Sequence, residues 1–137
     1  MPYSPLLIKP FRDELTTVGI QELFTSDEVD QIMKKSGTTM VVVNSVCGCA
    51  AGSARPGIRQ ALEHPKKPDT VASVFAGQDL EATARFRNLI ADIPPSSPSI
   101  ALFKDGELVY FIPKHRIEGR DAMGLADDLR NAFDEFC

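Results

Sequence analysis

Residues 38–57 read TTMVVVNSVCGCAAGSARPG and place three local features next to one another. Residues 40–43 are apolar and mostly β-branched, which predicts a fully buried strand over 39–44. Cys47, Gly48 and Cys49 form a short turn after this strand, and the small, helix-compatible residues 50–54 come next. The sequence therefore predicts a strand, a dithiol turn and a helix in that order.

The two thiols are expected at the start of that helix, where unpaired backbone N–H groups and the positive end of the helix dipole stabilise a thiolate. We therefore predict that Cys47, the earlier thiol, is the more exposed one and the nucleophile. A disulfide needs its Cβ atoms roughly 3.8 Å apart, a separation that residues two apart reach in neither a regular helix nor a strand. We expect Gly48 to supply the backbone freedom that brings the two sulfurs together.

A disulfide across one intervening residue closes a small ring, which we expect to be strained and easily reduced. The pair is therefore predicted to be redox-active rather than a stable cross-link. Two alternatives stay open: the thiols can be buried and inert, as many free cysteines are, or they can bind a metal in a module without turnover. Cys137, His64 and His115 are the remaining Cys and His residues, so no metal ligand is assigned.

Three segments carry a family resemblance: VNSVCGCAAGSARPG, VFAGQDLEATARFR and PPSSPSIALFKDGELVYFIPKHRIEG. Together they resemble the bacilliredoxin family, whose members are small thioredoxin-like proteins with a CGC site. The three segments are spread over nearly the whole chain, which makes them far more specific than an isolated CxC pair. The resemblance implies a thioredoxin-like fold and activity in thiol–disulfide exchange.

The activity implied by this resemblance is the removal of bacillithiol from S-bacillithiolated proteins, with general protein disulfide reduction or isomerisation as the alternative. Cys47 would attack the mixed disulfide, and Cys49 would resolve or tune it. Bacillithiol would be the thiol co-substrate, no bound cofactor is expected, and the partners would be S-bacillithiolated or disulfide-containing proteins. By the same resemblance, Ser97-Pro98 matches the cis-proline of thioredoxin-like chains and is expected to face the dithiol.

The rest of the chain alternates helical and extended patterns, which predicts one α/β domain over residues 1–137. The expected architecture is a central mixed sheet with helices on both faces and an N-terminal helical extension. Pro56 is expected to kink or restart the helix that follows the dithiol. The predicted helices are 11–18 (after a proline-punctuated segment 2–10), 27–35, 79–91 and 121–136; the predicted strands are 20–24, 39–44, 70–75, 100–104 and 107–112.

Net charge and the distribution of apolar residues limit the partners and the cellular compartment that we expect. The 137 residues carry a net charge of −4, and the pI is about 5.1, so no nucleic-acid or anionic-membrane partner is expected. No apolar run approaches the roughly 20 residues that span a bilayer, and the first residues lack the pattern of a secretory signal. A cytoplasmic location is therefore expected, and in a reducing compartment three cysteines favour catalysis, metal binding or sensing over a disulfide scaffold.

Further candidates lie around the dithiol in sequence. Asn44 and Ser45 precede it and can orient it through hydrogen bonds. Arg55 is a candidate to contact an anionic low-molecular-weight thiol. The cations of residues 114–116 are expected to form a solvated surface rather than to act on the dithiol. Cys137, the last residue of the chain, is expected to take no part in the first exchange step.

Overall fold

The computed structural model describes residues 3–137. Its helices and strands follow the predicted alternation, with one short helical turn after the dithiol and another after the last strand. In chain order the elements are α1 Pro5–Thr16, β1 Gln21–Glu22, α2 Ser26–Met33, β2 Thr38–Asn44, a π-helical turn Ala50–Ala54, α3 Arg55–Ala61, β3 Thr70–Phe75, α4 Leu80–Leu89, β4 Ser99–Lys104, β5 Glu107–Ile112, a 3-10 turn Lys114–Arg116 and α5 Ala122–Phe136.

The strands form one sheet in the order β1-β3-β2-β4-β5. β2 lies at the centre, where it pairs with β3 in parallel and with β4 in antiparallel orientation. All of its residues are buried, as expected for a strand that has a neighbour on each edge and helices above and below. The dithiol turn therefore leaves the sheet from its central strand.

Alternate side chains of β2 pack into two separate hydrophobic cores, one on each face of the sheet. Met40 and Val42 pack on one face of the sheet with residues of α1, α3 and α5. Val41 and Val43 pack on the other face with residues of α2 and α4. The predicted mixed sheet with helices on both faces is confirmed. Among residues 3–137, the helices fall short of the length and apolarity that crossing a bilayer demands.

The N-terminal helix differs from its prediction. α1 begins at Pro5 and contains Pro10, whereas the sequence predicted a proline-punctuated segment 2–10 before a helix over 11–18; residue 2 lies outside the described residues. A proline in the first turn costs no hydrogen bond, because that N–H would be unpaired. Ile8 and Leu15 are both buried, and this anchoring offsets the backbone bond that Pro10 removes.

Two other boundaries matter for the site. The strand predicted over 20–24 is reduced to the two residues of β1. After the dithiol, the chain makes the π-helical turn and then enters α3 with Pro56 in its first turn. The prediction that Pro56 restarts the helix is confirmed. This places Arg55 at the junction of the two helical segments, directly behind the dithiol turn.

Candidate active site

The two thiols of the CGC turn lie in contact. Cys47 Sγ and Cys49 Sγ are 2.8 Å apart, and both cysteines are free and half-buried. The backbone of Gly48 makes the turn with a φ outside the left-handed region, and a Cβ added there would meet nothing within 4 Å. The structure thus brings the sulfurs together as predicted, but by a backbone conformation that is not reserved for glycine.

The turn passes directly into helical backbone. The N–H groups of Ala50 and Ala51 both donate to Cys47 O, at 3.0 and 3.3 Å, so Cys47 occupies the position before the first helical turn. The small side chains that follow allow this: Ala50 and Ala54 are buried against the core. The predicted placement of the dithiol at a helix start is confirmed.

The environment separates the pKa values of the two thiols. The pKa of Cys47 is lowered, first by the hydrogen bond from the Cys49 thiol, then by the Cys49 backbone N–H, and further by Lys114 and the Ala50 N–H. The pKa of Cys49 is raised, first by burial and then by its hydrogen bond to Cys47 and the charge there. Cys47 is therefore the more acidic thiol of the pair, and Cys49 is the one that holds its proton more tightly.

Hydrogen bonds from buried polar residues hold the start of the dithiol turn in place. Asn44 and Ser45 are both buried. Asn44 Oδ1 accepts the Ser45 N–H at 2.8 Å, and Ser45 Oγ accepts the Cys47 N–H at 3.0 Å. The prediction that these two residues orient the dithiol through hydrogen bonds is confirmed.

Arg55 does not lie where the sequence predicted it. Its side chain is 1% exposed and its guanidinium lies over the Phe11 ring, 4.6 Å from the centroid. It donates to Glu14 Oε2 at 2.7 Å and to Ser45 O at 2.7 Å. The prediction that Arg55 contacts an anionic thiol is wrong, because α1 covers this residue and its hydrogen bonds face inward.

The Ser97-Pro98 bond is cis, as predicted. In the antiparallel pair, Ser99 of β4 stands opposite Val43 of β2. β4 begins at this pair, and β2 ends one residue after it. Because the two strands are antiparallel, the cis bond before β4 and the dithiol turn after β2 lie at the same end of these strands.

Lys114, which the sequence prediction assigned to solvated surface, is half-buried. Its positive charge lowers the pKa of Cys47, so that prediction is wrong for this residue; His115 and Arg116 are exposed. The Lys114 N–H donates to Ser96 Oγ at 3.3 Å. A neighbouring cavity of about 340 Å³ is lined by Ile93, Pro94, Pro95, Ser96, Phe111, Pro113 and His115.

Comparison with known proteins gives the family. The model of the family described as "Disulphide isomerase" matches residues 3–137. A bacilliredoxin of Cytophaga hutchinsonii is 51% identical over 133 residues, covering 97% of this chain and 98% of the relative. Bacilliredoxins of Halalkalibacterium halodurans and Geobacillus kaustophilus are 52% and 53% identical, each covering 98% of this chain and 94% of the relative. The chain belongs to the bacilliredoxin family.

Solved structures give the fold of this bacilliredoxin-family chain. A thioredoxin of Malassezia sympodialis has a TM-score of 0.61 at 15% identity and covers 86% of this chain and 90% of its own. Fasciola hepatica thioredoxin has a TM-score of 0.60 at 20% identity and covers 86% and 100%. The fold is thioredoxin-like, as the resemblance implied. Family, fold and the CxC pair identify a thiol–disulfide oxidoreductase.

The third cysteine of this bacilliredoxin-family chain is remote from the dithiol. Cys137 is exposed as a residue, while burial of its sulfur raises its pKa, and Thr38, the first residue of β2, is among the groups that act on that pKa. The dithiol follows the other end of β2, ~20 Å away for a seven-residue strand. Within residues 3–137, no group of three or more His, Cys, Asp and Glu side chains is arranged to hold a metal ion.

Proposed function

We propose that this chain removes bacillithiol from S-bacillithiolated proteins, with Cys47 as the nucleophile and Cys49 as the resolving thiol. The observation that carries the proposal is the pair of opposite pKa shifts across a 2.8 Å contact, lowered at Cys47 and raised at Cys49. The thiolate is the attacking species in thiol–disulfide exchange, so the sulfur with the lower pKa is the one suited to attack the mixed disulfide.

In the first step, Cys47 Sγ attacks the bacillithiol sulfur of the mixed disulfide. The bond between that sulfur and the client cysteine breaks, and the client leaves as a thiolate that takes up a proton. The second step begins when Cys49 loses its proton and its sulfur attacks Cys47. Bacillithiol leaves as a thiolate, and the Cys47–Cys49 disulfide forms. Two molecules of free bacillithiol reduce it: the first forms a mixed disulfide with one of the cysteines, and the second attacks that mixed disulfide, frees the cysteine and leaves as bacillithiol disulfide.

The surroundings of the pair supply groups suited to this substrate. The Lys114 cation acts on Cys47 and is placed to attract an anionic low-molecular-weight thiol. Gly48 is exposed, and the space beside its Cα is open, which leaves room for a client protein to approach Cys47. We propose that Gly48, Ser97 and Pro98 form the substrate-facing surface, that bacillithiol is the co-substrate with no bound cofactor, and that the protein acts in the cytoplasm.

The test is intact-mass analysis of the reduced Cys49→Ser protein mixed with an S-bacillithiolated test protein. We expect one bacillithiol adduct, mapped to Cys47, together with release of the test protein. Cys47→Ser is the matched control and is expected to form no adduct. The absence of an adduct on the Cys49→Ser protein, while the wild type still reduces ordinary disulfides, would overturn the substrate assignment.

General disulfide reduction or isomerisation is the second candidate. It is favoured by the description of the matching family, "Disulphide isomerase", and by the contact between the two thiols. Rates on a protein disulfide and on an S-bacillithiolated form of the same protein separate the two functions. We expect faster turnover of the bacillithiolated form, and equal or reversed rates would favour the second candidate.

A further inference from the structure

The N-terminal helix α1 is joined to the catalytic turn through one buried side chain. Arg55 Nε donates to Glu14 Oε2 of α1 at 2.7 Å, while Nη1 donates to Asn44 Oδ1 at 3.1 Å and to Ser45 O at 2.7 Å. The ring of Phe11, also on α1, covers the guanidinium. Arg55 therefore holds α1 on one side and the end of β2 on the other.

The groups that Arg55 binds lead directly to the nucleophile. Ser45 has three polar groups in the network: its carbonyl accepts from Arg55, its N–H donates to Asn44 Oδ1, and its hydroxyl accepts the Cys47 N–H. The path from the guanidinium of Arg55 to the backbone of Cys47 thus passes through one residue. Since Ser45 and Arg55 are both buried, water does not readily replace these bonds.

We propose that Arg55, held in place by Glu14, is a positioning residue that fixes the turn over residues 44–47 and thereby holds Cys47 at the start of the helix, where its N–H bonds Ser45 Oγ and its carbonyl accepts the Ala50 N–H. The inference rests on the attack by Cys47 in the proposed function but does not depend on bacillithiol. It gives the N-terminal extension a part in setting the reactivity of the dithiol, which neither the fold nor the CxC pair implies.

The charges around the site indicate that Arg55 acts through geometry rather than through its field. The cation that acts on Cys47 from the loop after β5 is Lys114, which lowers the pKa of both thiols. The charge of Arg55 is paired with the Glu14 carboxylate at 2.7 Å. A planar guanidinium donates to three acceptors in fixed directions, whereas a lysine ammonium keeps the charge and loses that geometry.

The test is the pH dependence of Cys47 alkylation by iodoacetamide, with the adduct mapped by mass, in a Cys137→Ser background. We expect Arg55→Lys and Arg55→Met to raise the midpoint of the profile, since the turn is no longer held. Each unit of increase lowers the thiolate fraction, and with it the rate below the midpoint, by about tenfold. Arg55→Lys is the decisive variant, because it retains the charge.

Arg59→Met is the matched control. Arg59 Nη1 also ties α3 to α1, through Glu14 O at 2.6 Å and Thr17 Oγ1 at 2.9 Å, and none of these bonds is to the turn. We expect this variant to lower the melting temperature and to leave the alkylation midpoint unchanged. Equal midpoint shifts in the Arg59 and Arg55 variants would mean that α1 docking in general, and not Arg55, sets the midpoint, which would overturn the proposal.

Glu14→Gln keeps the proposal testable if the Arg55 variants do not fold. Glu14 is 38% exposed, and the amide keeps an acceptor for Arg55 Nε while the charge is lost, so a smaller increase in the midpoint is expected. A folded Arg55→Lys or Glu14→Gln protein with the parental midpoint would overturn the proposal. Because iodoacetamide replaces the bacillithiol substrate, a failure of de-bacillithiolation in the wild type would leave this result intact.

Discussion

The sulfurs of Cys47 and Cys49 lie 2.8 Å apart in a hydrogen-bond contact. The lowered pKa of Cys47 and the raised pKa of Cys49, which burial raises first, favour the Cys49 thiol as the donor. The contact both stabilises the Cys47 thiolate and keeps the proton on Cys49. If the two thiols had equal pKa values, the negative charge would be divided between them, and neither sulfur would be the preferred nucleophile. The asymmetry comes from the fold, since Cys49 packs against the core while Cys47 receives the helix-start N–H groups.

Replacing Cys49 by alanine should raise the pKa of Cys47, because the hydrogen bond from this thiol is the largest of the causes that lower it. Cys49→Ser retains a hydroxyl donor and should show a smaller increase. The measurement is the pH dependence of thiolate absorbance in Cys137→Ser backgrounds. A Cys49→Ala protein with an unchanged Cys47 pKa would show that the contact does not stabilise the thiolate.

Replacing Lys114 by methionine should raise the pKa of Cys47 by less than Cys49→Ala does, since Lys114 ranks below the Cys49 hydrogen bonds among the causes. Lys114 is half-buried, so added salt should reproduce part of this increase in the wild type. Arg116→Met is the control, as Arg116 is exposed and bonds Tyr110 Oη. Equal changes in the Cys47 pKa from Lys114→Met and Arg116→Met would contradict a specific effect of the Lys114 charge.

The stability of the reduced protein should depend on pH in two opposite ways. The lowered pKa of Cys47 contributes stability above its unfolded value of about 8.5, and this contribution is lost as the pH falls through the folded pKa. The raised pKa of Cys49 contributes stability below about 8.5, and this contribution is lost as the pH rises through its folded pKa. The stability contribution of the pair should therefore be largest near the ordinary thiol pKa.

The measurement for this pair is the melting temperature of the reduced wild type minus that of the reduced Cys47→Ala/Cys49→Ala protein, followed across the alkaline range. The double variant lacks both titrating thiols, so its melting temperature reports the pH dependence of the rest of the protein and is the baseline for the wild type. A difference that does not vary with pH would contradict the two pKa shifts.

Gly57→Ala should destabilise the protein. A Cβ at this position would lie 3.0 Å from Ala122 O and 3.1 Å from Leu125 Cβ and Cδ2, and overpacking of this kind costs about 1–3 kcal/mol. Gly52→Ala is the control, because a Cβ there meets nothing within 4 Å and glycine inside a helix is about 0.5–1 kcal/mol less stable than alanine. Chemical denaturation should therefore give free-energy changes of opposite sign.

Features determined by neighbouring residues were predictable from the sequence. β2 and the dithiol turn that follows it were predicted from the pattern of residues 38–57, and β3 was predicted with the bounds that the structure has. The hairpin between β4 and β5 turns through Asp105 and Gly106, whose φ values of 51° and 85° are those that its Asp-Gly pair predicts. In each case the local pattern and the tertiary contacts favour the same conformation.

Features that depend on distant partners were not predictable from the sequence. The sequence predicted that Arg55 contacts an anionic thiol. Its actual carboxylate partner, Glu14, is 41 positions away, and no local pattern indicates that pairing. The start of α1 was misplaced because Ile8 gains its anchor only from the folded core. The charge of Lys114 acts on the dithiol because of the path that the chain takes after β5. The hydrophobic pattern of the sequence does not indicate that path.

The central position of β2 also determines where the molecule can open. β2 is hydrogen-bonded to β3 on one edge and to β4 on the other, whereas β1 at the sheet margin has two residues. Amide hydrogens of β2 should therefore exchange with solvent only in global unfolding, and those of β1 in local fluctuations. The cysteine pair follows the strand that is expected to open last, so the spacing of the two sulfurs should persist while the margin of the sheet fluctuates.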